Sequence, residues 1–283
     1  MWYSKYLSIY EHPYNLVPKE LILEIAHKVN LIQSVNPIVS VVIIAYNEET
    51  HLAACIWSLS DNRCKYPIEI IGIDNNSTDR TAEIYKALGV KYFLEQKKGH
   101  GNARNCGLDN AKGKYYVCID ADTIYPPKYI ETLIEQLKKP NVSGVYSLWN
   151  YIKDNEHSTI GIKLYEFLRN LNLRIKSIKR PESSVRGMVF AIKMNFAREI
   201  RFRTDIKRGE DGSMAYALKR YGKLKFITSK SARAATSLRS IINDGSLFNA
   251  LKIRAIKHFK GLKYYFTSKK ATECRDDDSN LIK

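Results

Sequence analysis

Val39-Ser40-Val41-Val42-Ile43-Ile44-Ala45-Tyr46-Asn47-Glu48-Glu49 is the stretch on which the fold reading turns. From Val39 to Ala45 the side chains are almost all apolar and mostly β-branched, the composition of a strand buried on both faces. Tyr46-Asn47-Glu48-Glu49 breaks the run, and a helix can begin near Thr50. The same grammar repeats downstream. Ile68 to Ile73 reads as a second strand, ended by Asp74-Asn75-Asn76-Ser77-Thr78-Asp79, whose residues cap helices; Thr81 to Leu88 supplies that helix. Val90 to Leu94 is a third strand, followed by the Gly-rich turn Lys97-Lys98-Gly99-His100-Gly101 and a helix from Asn102 to Ala111. Lys114 to Ile119 is a fourth strand, and after Pro127 the apolar positions Ile130, Leu133, Ile134 and Leu137 mark another helix. Repeated β-α units with short connections predict an α/β fold around a mostly parallel, doubly wound sheet.

Outside this core the pattern loosens. Leu21, Ile25, Val29 and Ile32 recur at helical spacing behind Pro18, predicting an appended helix to about Ser34. Beyond Val142 the reading gives a strand to Trp149, a helix through Ile160 to Leu173, a strand around Val185 to Ile192 and a helix near Gly212 to Tyr221. The stretch from Leu247 to about Tyr264 reads as a basic amphipathic helix. The expected organisation is an N-terminal helical extension over 1–36, a single α/β domain over 37–240 and a basic helical tail over 241–283.

The 283 residues carry a net charge of +17, which calls for an anionic partner. No finger spacing, RNP-like aromatic signature or recognition-helix pattern points to nucleic acid. No apolar run approaches the length of a membrane span, and the first residues lack the apolar core of a secretory signal. The five cysteines form no Cys-x-x-Cys pair, which speaks against zinc ribbons and disulfide frameworks and for a reducing, cytoplasmic setting.

Function concentrates where the fourth strand ends, at Asp120-Ala121-Asp122. Side chains at i and i+2 of extended chain share a side, so both carboxylates can face one ligand, and hard oxygen donors suit a divalent cation gripping a diphosphate. Alone, such a pair is more often a cap, here for the helix starting at Pro126-Pro127. Read together, Tyr46-Asn47-Glu48, Asp74-Asn75, Gly101-Asn102-Ala103-Arg104-Asn105 and Asp120-Ala121-Asp122 each follow a strand or open a helix, and a parallel sheet puts such points along one edge. That edge suits a nucleotide, with Asp74 and Asn75 at the base, Arg104 near phosphate or base, Asp120 at the ribose and Asp122 on the metal.

These segments resemble the family 2 glycosyltransferases, inverting enzymes with the GT-A fold. The resemblance rests on Val41-Val42-Ile43-Ile44-Ala45-Tyr46-Asn47-Glu48-Glu49, Ile73-Asp74-Asn75-Asn76-Ser77-Thr78-Asp79-Arg80-Thr81, Gly101-Asn102-Ala103-Arg104-Asn105-Cys106-Gly107 and Ile119-Asp120-Ala121-Asp122. Later, Arg186-Gly187-Met188-Val189-Phe190 resembles an acceptor-side strand, Gly209-Glu210-Asp211-Gly212 a Glu-Asp element, and Thr236-Ser237-Leu238-Arg239 an element that closes over the diphosphate.

The resemblance implies that Ala45, Tyr46, Glu48, Asp74, Asn75, Arg104, Asp120 and Ala121 bind the donor nucleotide. It implies further that Asp122 ligates Mn²⁺ or Mg²⁺, that Asp211 is the general base, and that Gly187 and Glu210 meet the acceptor. The implied reaction moves one sugar from a nucleoside diphosphate sugar, in the first place a UDP-sugar, to a glycan or lipid-linked glycan. Where several relatives carry a second acid in the base-binding motif, this chain has Asn75, which leaves the base open. The basic tail suggests peripheral contact with anionic membrane at the inner face of the cytoplasmic membrane, or equally a solvated face on a packed helix. Two rival readings are a nucleotidyltransferase, which should carry an early Gly-rich phosphate loop where Tyr46-Asn47-Glu48-Glu49 stands, and a non-catalytic binder of acidic polymers or membranes.

Overall fold

A computed structural model of the chain describes residues 1–153 and 158–239. The amino-terminal segment opens with two short 3-10 turns, Ser4–Ser8 and Tyr14–Leu16, before α1 (Lys19–Ile32). There follow β1 (Val39–Ala45), α2 (Leu52–Ser60), β2 (Ile68–Asp74), α3 (Thr81–Ala87), β3 (Lys91–Leu94), α4 (His100–Asn110) and β4 (Tyr115–Asp120). The second half runs through β5 (Thr123–Ile124), α5 (Tyr129–Leu137), β6 (Val142–Ser147), β7 (Trp149–Tyr151), α6 (Thr159–Lys179), β8 (Phe190–Lys193), α7 (Met194–Ile200), α8 (Glu210–Leu218), β9 (Lys223–Ile227) and β10 (Ala234–Thr236).

The main sheet has the order β3-β2-β1-β4-β8-β6-β9, and β5-β10-β7 form a smaller sheet. Pairings β1–β2, β1–β4, β2–β3 and β6–β9 are parallel, whereas β8 runs antiparallel between β4 and β6. The sheet is covered on both faces, which is why β1 reads as continuous apolar chain. Val39, Val41 and Ile43 pack into one core with Val117 and Ile119, while Val42 and Ile44 pack into the other with Tyr116 and Cys118. The mixed, mostly parallel sheet with helices on both faces is the expected α/β architecture.

Several expectations need correcting. The strand expected around Val185 to Ile192 begins only at Phe190, because Gly187–Val189 forms a 3-10 turn ahead of it. The helix expected through Ile160 to Leu173 continues to Lys179. Helix α7 and strands β9 and β10 were not anticipated. The reading that Asp120 and Asp122 lie on extended chain also fails, since β4 ends at Asp120 and the chain turns at Ala121-Asp122. Ahead of α1, Tyr3, Tyr6, Ile9 and Tyr10 are buried in the core that holds β1. The expected basic helix over 247–264 lies outside the described residues. Among those residues, no helix is long and apolar enough to cross a membrane.

Candidate active site

Three neighbouring strands deliver their last residues to one line. Ala45 is in register with Asp74 and Ile44 with Asp120, so β1, β2 and β4 end together at the carboxyl edge of the sheet. The loops beyond them are knitted to one another. The Asn75 N–H donates to the Ala45 carbonyl at 2.8 Å, and Asp74 Oδ1 accepts the Ser77 N–H at 3.1 Å. Asn47 takes a positive φ of 54° and accepts the Thr78 N–H at 2.8 Å, while the Glu48 N–H donates to Thr81 Oγ1 at 2.9 Å. The polar residues after β1 and β2 thus fix each other, leaving buried Asp74 at the base of the cleft. Half-exposed Tyr46 stands at its mouth, its hydroxyl accepting from Lys98 Nζ at 2.9 Å.

Asn75 is placed differently from the expectation of a base contact. Its amide Nδ2 donates to the carbonyls of Glu95 and Lys97 at 3.2 and 2.8 Å, and its Oδ1 accepts the Gly99 N–H at 2.8 Å. The side chain therefore pins the Gly-rich turn that leads into α4. Asparagine has the donor and the acceptor that this clamp needs, whereas an aspartate would lack the donors.

Arg104 is also placed differently. It lies on α4 with only 1 % of its surface exposed, its Nη2 donating to Asp120 Oδ1 at 2.8 Å and its Nε to Asp211 Oδ1 at 3.1 Å. The guanidinium is a buried strut between two acids rather than an open phosphate contact, although its Nη1 finds no partner among the described residues. The second Asp211 oxygen accepts the Gly187 N–H at 2.6 Å. A Cβ at Gly187 would come within 1.8 Å of Arg104 Nη2 and 2.7 Å of Asp211 Oδ1, so only glycine lets the backbone approach this pair.

Asp120 keeps 33 % of its side chain open in the cleft. Burial pushes its carboxyl pKa up; Arg104 opposes this, and the charges of Asp122 and Asp211 add to it. Glu210, at the start of α8, is buried, and burial with the neighbouring Asp211 charge raises its pKa against the pull of His100 and Arg104.

Asp122 sits in a separate hydrogen-bond cradle. Its Oδ1 accepts from Thr123 Oγ1 at 3.1 Å, and its Oδ2 from Ser237 Oγ at 2.8 Å and Arg239 Nη2 at 3.2 Å. The same Nη2 of Arg239 reaches both Glu48 oxygens, at 2.7 and 2.9 Å. The Asp122 carbonyl accepts the Tyr10 hydroxyl at 2.8 Å. The structure thus groups Asp120 and Asp211 with Glu210 around Arg104, and Asp122 with Glu48 around Arg239.

Ser237 and Arg239, from the segment expected to close over the diphosphate, complete the second group, and Tyr10 joins it without having been among the expected site residues. In sequence the segment Thr236 to Arg239 could almost as well be read as a solvated basic turn, and nothing local marks Tyr10, which meets Asp122 from 112 positions away.

Among the described residues, no three His, Cys, Asp or Glu side chains cluster as a metal cage. The donor chemistry nonetheless fits a divalent ion held partly by its substrate. Asp122 and Glu48 offer hard carboxylate oxygens converging on a single cationic group, and Mg²⁺-type ions commonly use one or two carboxylates plus phosphate oxygens.

The model of glycosyl transferase family 2 matches residues 40–201, more than half of the chain. An uncharacterized glycosyltransferase of Rickettsia prowazekii is 34 % identical over 132 residues, which cover 45 % of this chain and 41 % of the relative. A dolichyl N-acetyl-α-D-glucosaminyl phosphate 3-β-D-2,3-diacetamido-2,3-dideoxy-β-D-glucuronosyltransferase of Methanococcus voltae is 28 % identical over 193 residues, covering 61 % of this chain and 59 % of the relative. The chain thus spans about two fifths to three fifths of the length of these relatives.

Among solved structures, S. aureus TarS in complex with UDP superposes with a TM-score of 0.55 at 17 % identity, over 70 % of this chain and 60 % of that one. Glucosyl-3-phosphoglycerate synthase from Mycobacterium tuberculosis, solved with Mn²⁺, UDP-glucose and phosphoglyceric acid, gives 0.53 at 22 % identity, over 80 % of this chain and 79 % of that one. The fold is therefore GT-A. With the family model matched from β1 to the end of α7, the chain belongs to glycosyl transferase family 2.

Proposed function

We propose that the protein transfers one sugar from a UDP-sugar to a hydroxyl of a glycan or lipid-linked glycan, inverting the anomeric centre. The observation that carries this reading is the position of Asp211, held by the Gly187 N–H and by Arg104, which also grips Asp120 at the end of β4. Each Asp211 oxygen keeps a lone pair beyond the hydrogen bond it accepts, so the carboxylate can take a proton without leaving its supports. The acceptor hydroxyl then gives its proton to Asp211 as its oxygen forms the bond to the anomeric carbon. The bond from that carbon to the diphosphate oxygen breaks, and its electron pair leaves with the nucleoside diphosphate. One displacement gives inversion.

Asp74 is the group for the base, Tyr46 offers a ring face at the cleft mouth, and Asp120 faces the ribose or diphosphate. Asp122, with Glu48 beside it, would hold Mn²⁺ or Mg²⁺, which when bound offsets charge on the diphosphate. UDP in the TarS structure and Mn²⁺ with UDP-glucose in the mycobacterial synthase agree with this choice of donor and metal.

A thermal-shift series with UDP, GDP and ADP, each with and without Mn²⁺, tests the donor. UDP with Mn²⁺ at a hundredfold its Kd should add about 2.7 kcal/mol of stability, and Asp74→Ala should abolish the shift. Lack of a shift with any nucleotide, or one untouched by Asp74→Ala, would refute the site. In UDP-sugar turnover, Asp211→Asn should retain the UDP shift and lose about 10²–10⁴-fold in kcat.

A further inference from the structure

Helix α6 turns its apolar side outward. Ile162, Tyr165 and Leu173 are buried against the body, and Arg169 stacks over the Trp149 ring at 4.3 Å, so the helix is firmly seated. On its opposite side Ile160, Leu164, Phe167, Leu168, Leu171, Ile175 and Ile178 are all exposed, from 42 % at Leu168 to 81 % at Ile178. At 3.6 residues per turn these positions fall within an arc of about 100°, and the stripe runs about 27 Å along the axis. A water-facing helix normally carries polar residues there. Basic residues border the stripe instead, Lys163 and Arg174 along one edge and Lys179 along the other. Between Thr159 and Arg180, Glu166 is the one acid.

We propose that this face of α6 docks on an anionic lipid surface, with the apolar stripe in the headgroup–acyl boundary and the flanking cations on lipid phosphates. Charge decides between the occupants. A second copy would bring an equally basic helix against this one. The segment 247–264 carries Lys252, Arg254, Lys257, Lys260 and Lys263 and no acid, so it too would meet like charge. An anionic bilayer complements both the stripe and its borders, and the chain's net charge of +17 draws it there. Helix α6 is followed by the 3-10 turn Pro181–Ser184 and then by the turn at Gly187 that holds Asp211, so a docked helix sets the acceptor side of the cleft next to the membrane. The inference does not rest on the transferase reading, because its readout needs no turnover.

The test is sedimentation of the full chain with vesicles of phosphatidylcholine containing 30 % phosphatidylglycerol, against pure phosphatidylcholine. The expected result is binding to the anionic vesicles at low salt. Binding should fall at least about tenfold in Phe167→Glu/Leu171→Glu/Ile175→Glu and roughly a hundredfold in Lys163→Gln/Arg174→Gln/Lys179→Gln, since each of the three surface cations contributes roughly fivefold. The melting temperature of the first variant should match the wild type, because the stripe faces solvent when free. Undiminished binding by both variants overturns the proposal. So does a wild type that ignores anionic vesicles while the stripe variant melts earlier or turns from dimer to monomer by light scattering, which would assign the face to the chain's own tail or to a second copy.

Discussion

Arg104 concentrates the physics of the cleft in one side chain. A guanidinium with 1 % exposure is costly to desolvate, and it is kept there by charge-assisted hydrogen bonds to Asp120 and Asp211. Its planar fork reaches two acids on different elements, which a lysine ammonium cannot do in the same geometry. Arg104→Met should therefore cost about 3 kcal/mol in urea denaturation, the lower end for a broken buried pair, because both carboxylates keep some water. Arg104→Lys should recover part of that stability and little of the UDP-sugar turnover. Equal turnover in the lysine variant and the wild type would show that the fork geometry is not needed. Sequence marked this residue but misjudged its role: an arginine after a Gly-rich turn reads as a phosphate contact, and only the fold reveals that Asp211 arrives 107 positions later to claim it. Asn75 was misjudged for the same reason, its three partners lying on a loop 20 to 24 positions away.

At the scale of elements, the site is made where regular structure stops. The parallel half from β1 to β4 was legible because each strand is a run of core residues closed by capping residues, a local signal. Strand β8 was placed early and without its 3-10 turn because the composition of Val185 to Ile192 does not show that Gly187 must bend toward Asp211. Strands β9 and β10 escaped notice since Lys223 to Ile227 alternates charge with apolar residues and β10 is only three residues long. Helix α8 begins with Glu210, whose folded pKa is raised by burial and by Asp211. A raised carboxyl pKa means that the folded state binds the proton more tightly than the unfolded chain. Stability contributed by the protonated form is thus lost as pH rises through the window above the ordinary glutamate value. Glu210→Gln should accordingly be more stable than wild type at neutral pH, with the difference shrinking as pH falls through that window. Thermal melts of both proteins from pH 4 to pH 7.5 would measure it, and a constant difference would contradict the assignment.

Over the whole molecule, a locally encoded parallel sheet supplies the edge, and distant segments supply what surrounds it. Asp122 illustrates the division: its motif is visible in the sequence, but much of its cradle comes from Ser237 and Arg239 just beyond β10 and from Tyr10 ahead of α1. Burial of Tyr3, Tyr6, Ile9 and Tyr10 in the main core makes the first residues structural members of the domain. Tyr10→Phe keeps the ring and removes the hydroxyl bond to the Asp122 carbonyl. It should cost about 1 kcal/mol of stability and raise the Mn²⁺ concentration needed for UDP-dependent stabilisation, read from a metal titration of the thermal shift. An unchanged titration would leave the hydroxyl a purely structural role.

That tyrosine has a practical corollary for anyone handling the protein. Its phenol is a tether between the segment ahead of α1 and the turn that bears Asp122. Trimming the first dozen residues as dispensable, or fusing a bulky affinity handle tightly against them, would slacken that turn from a direction in which sequence motifs give no warning. Preparations that differ only at this end should then be compared for metal response before any loss of turnover is blamed on the cleft itself.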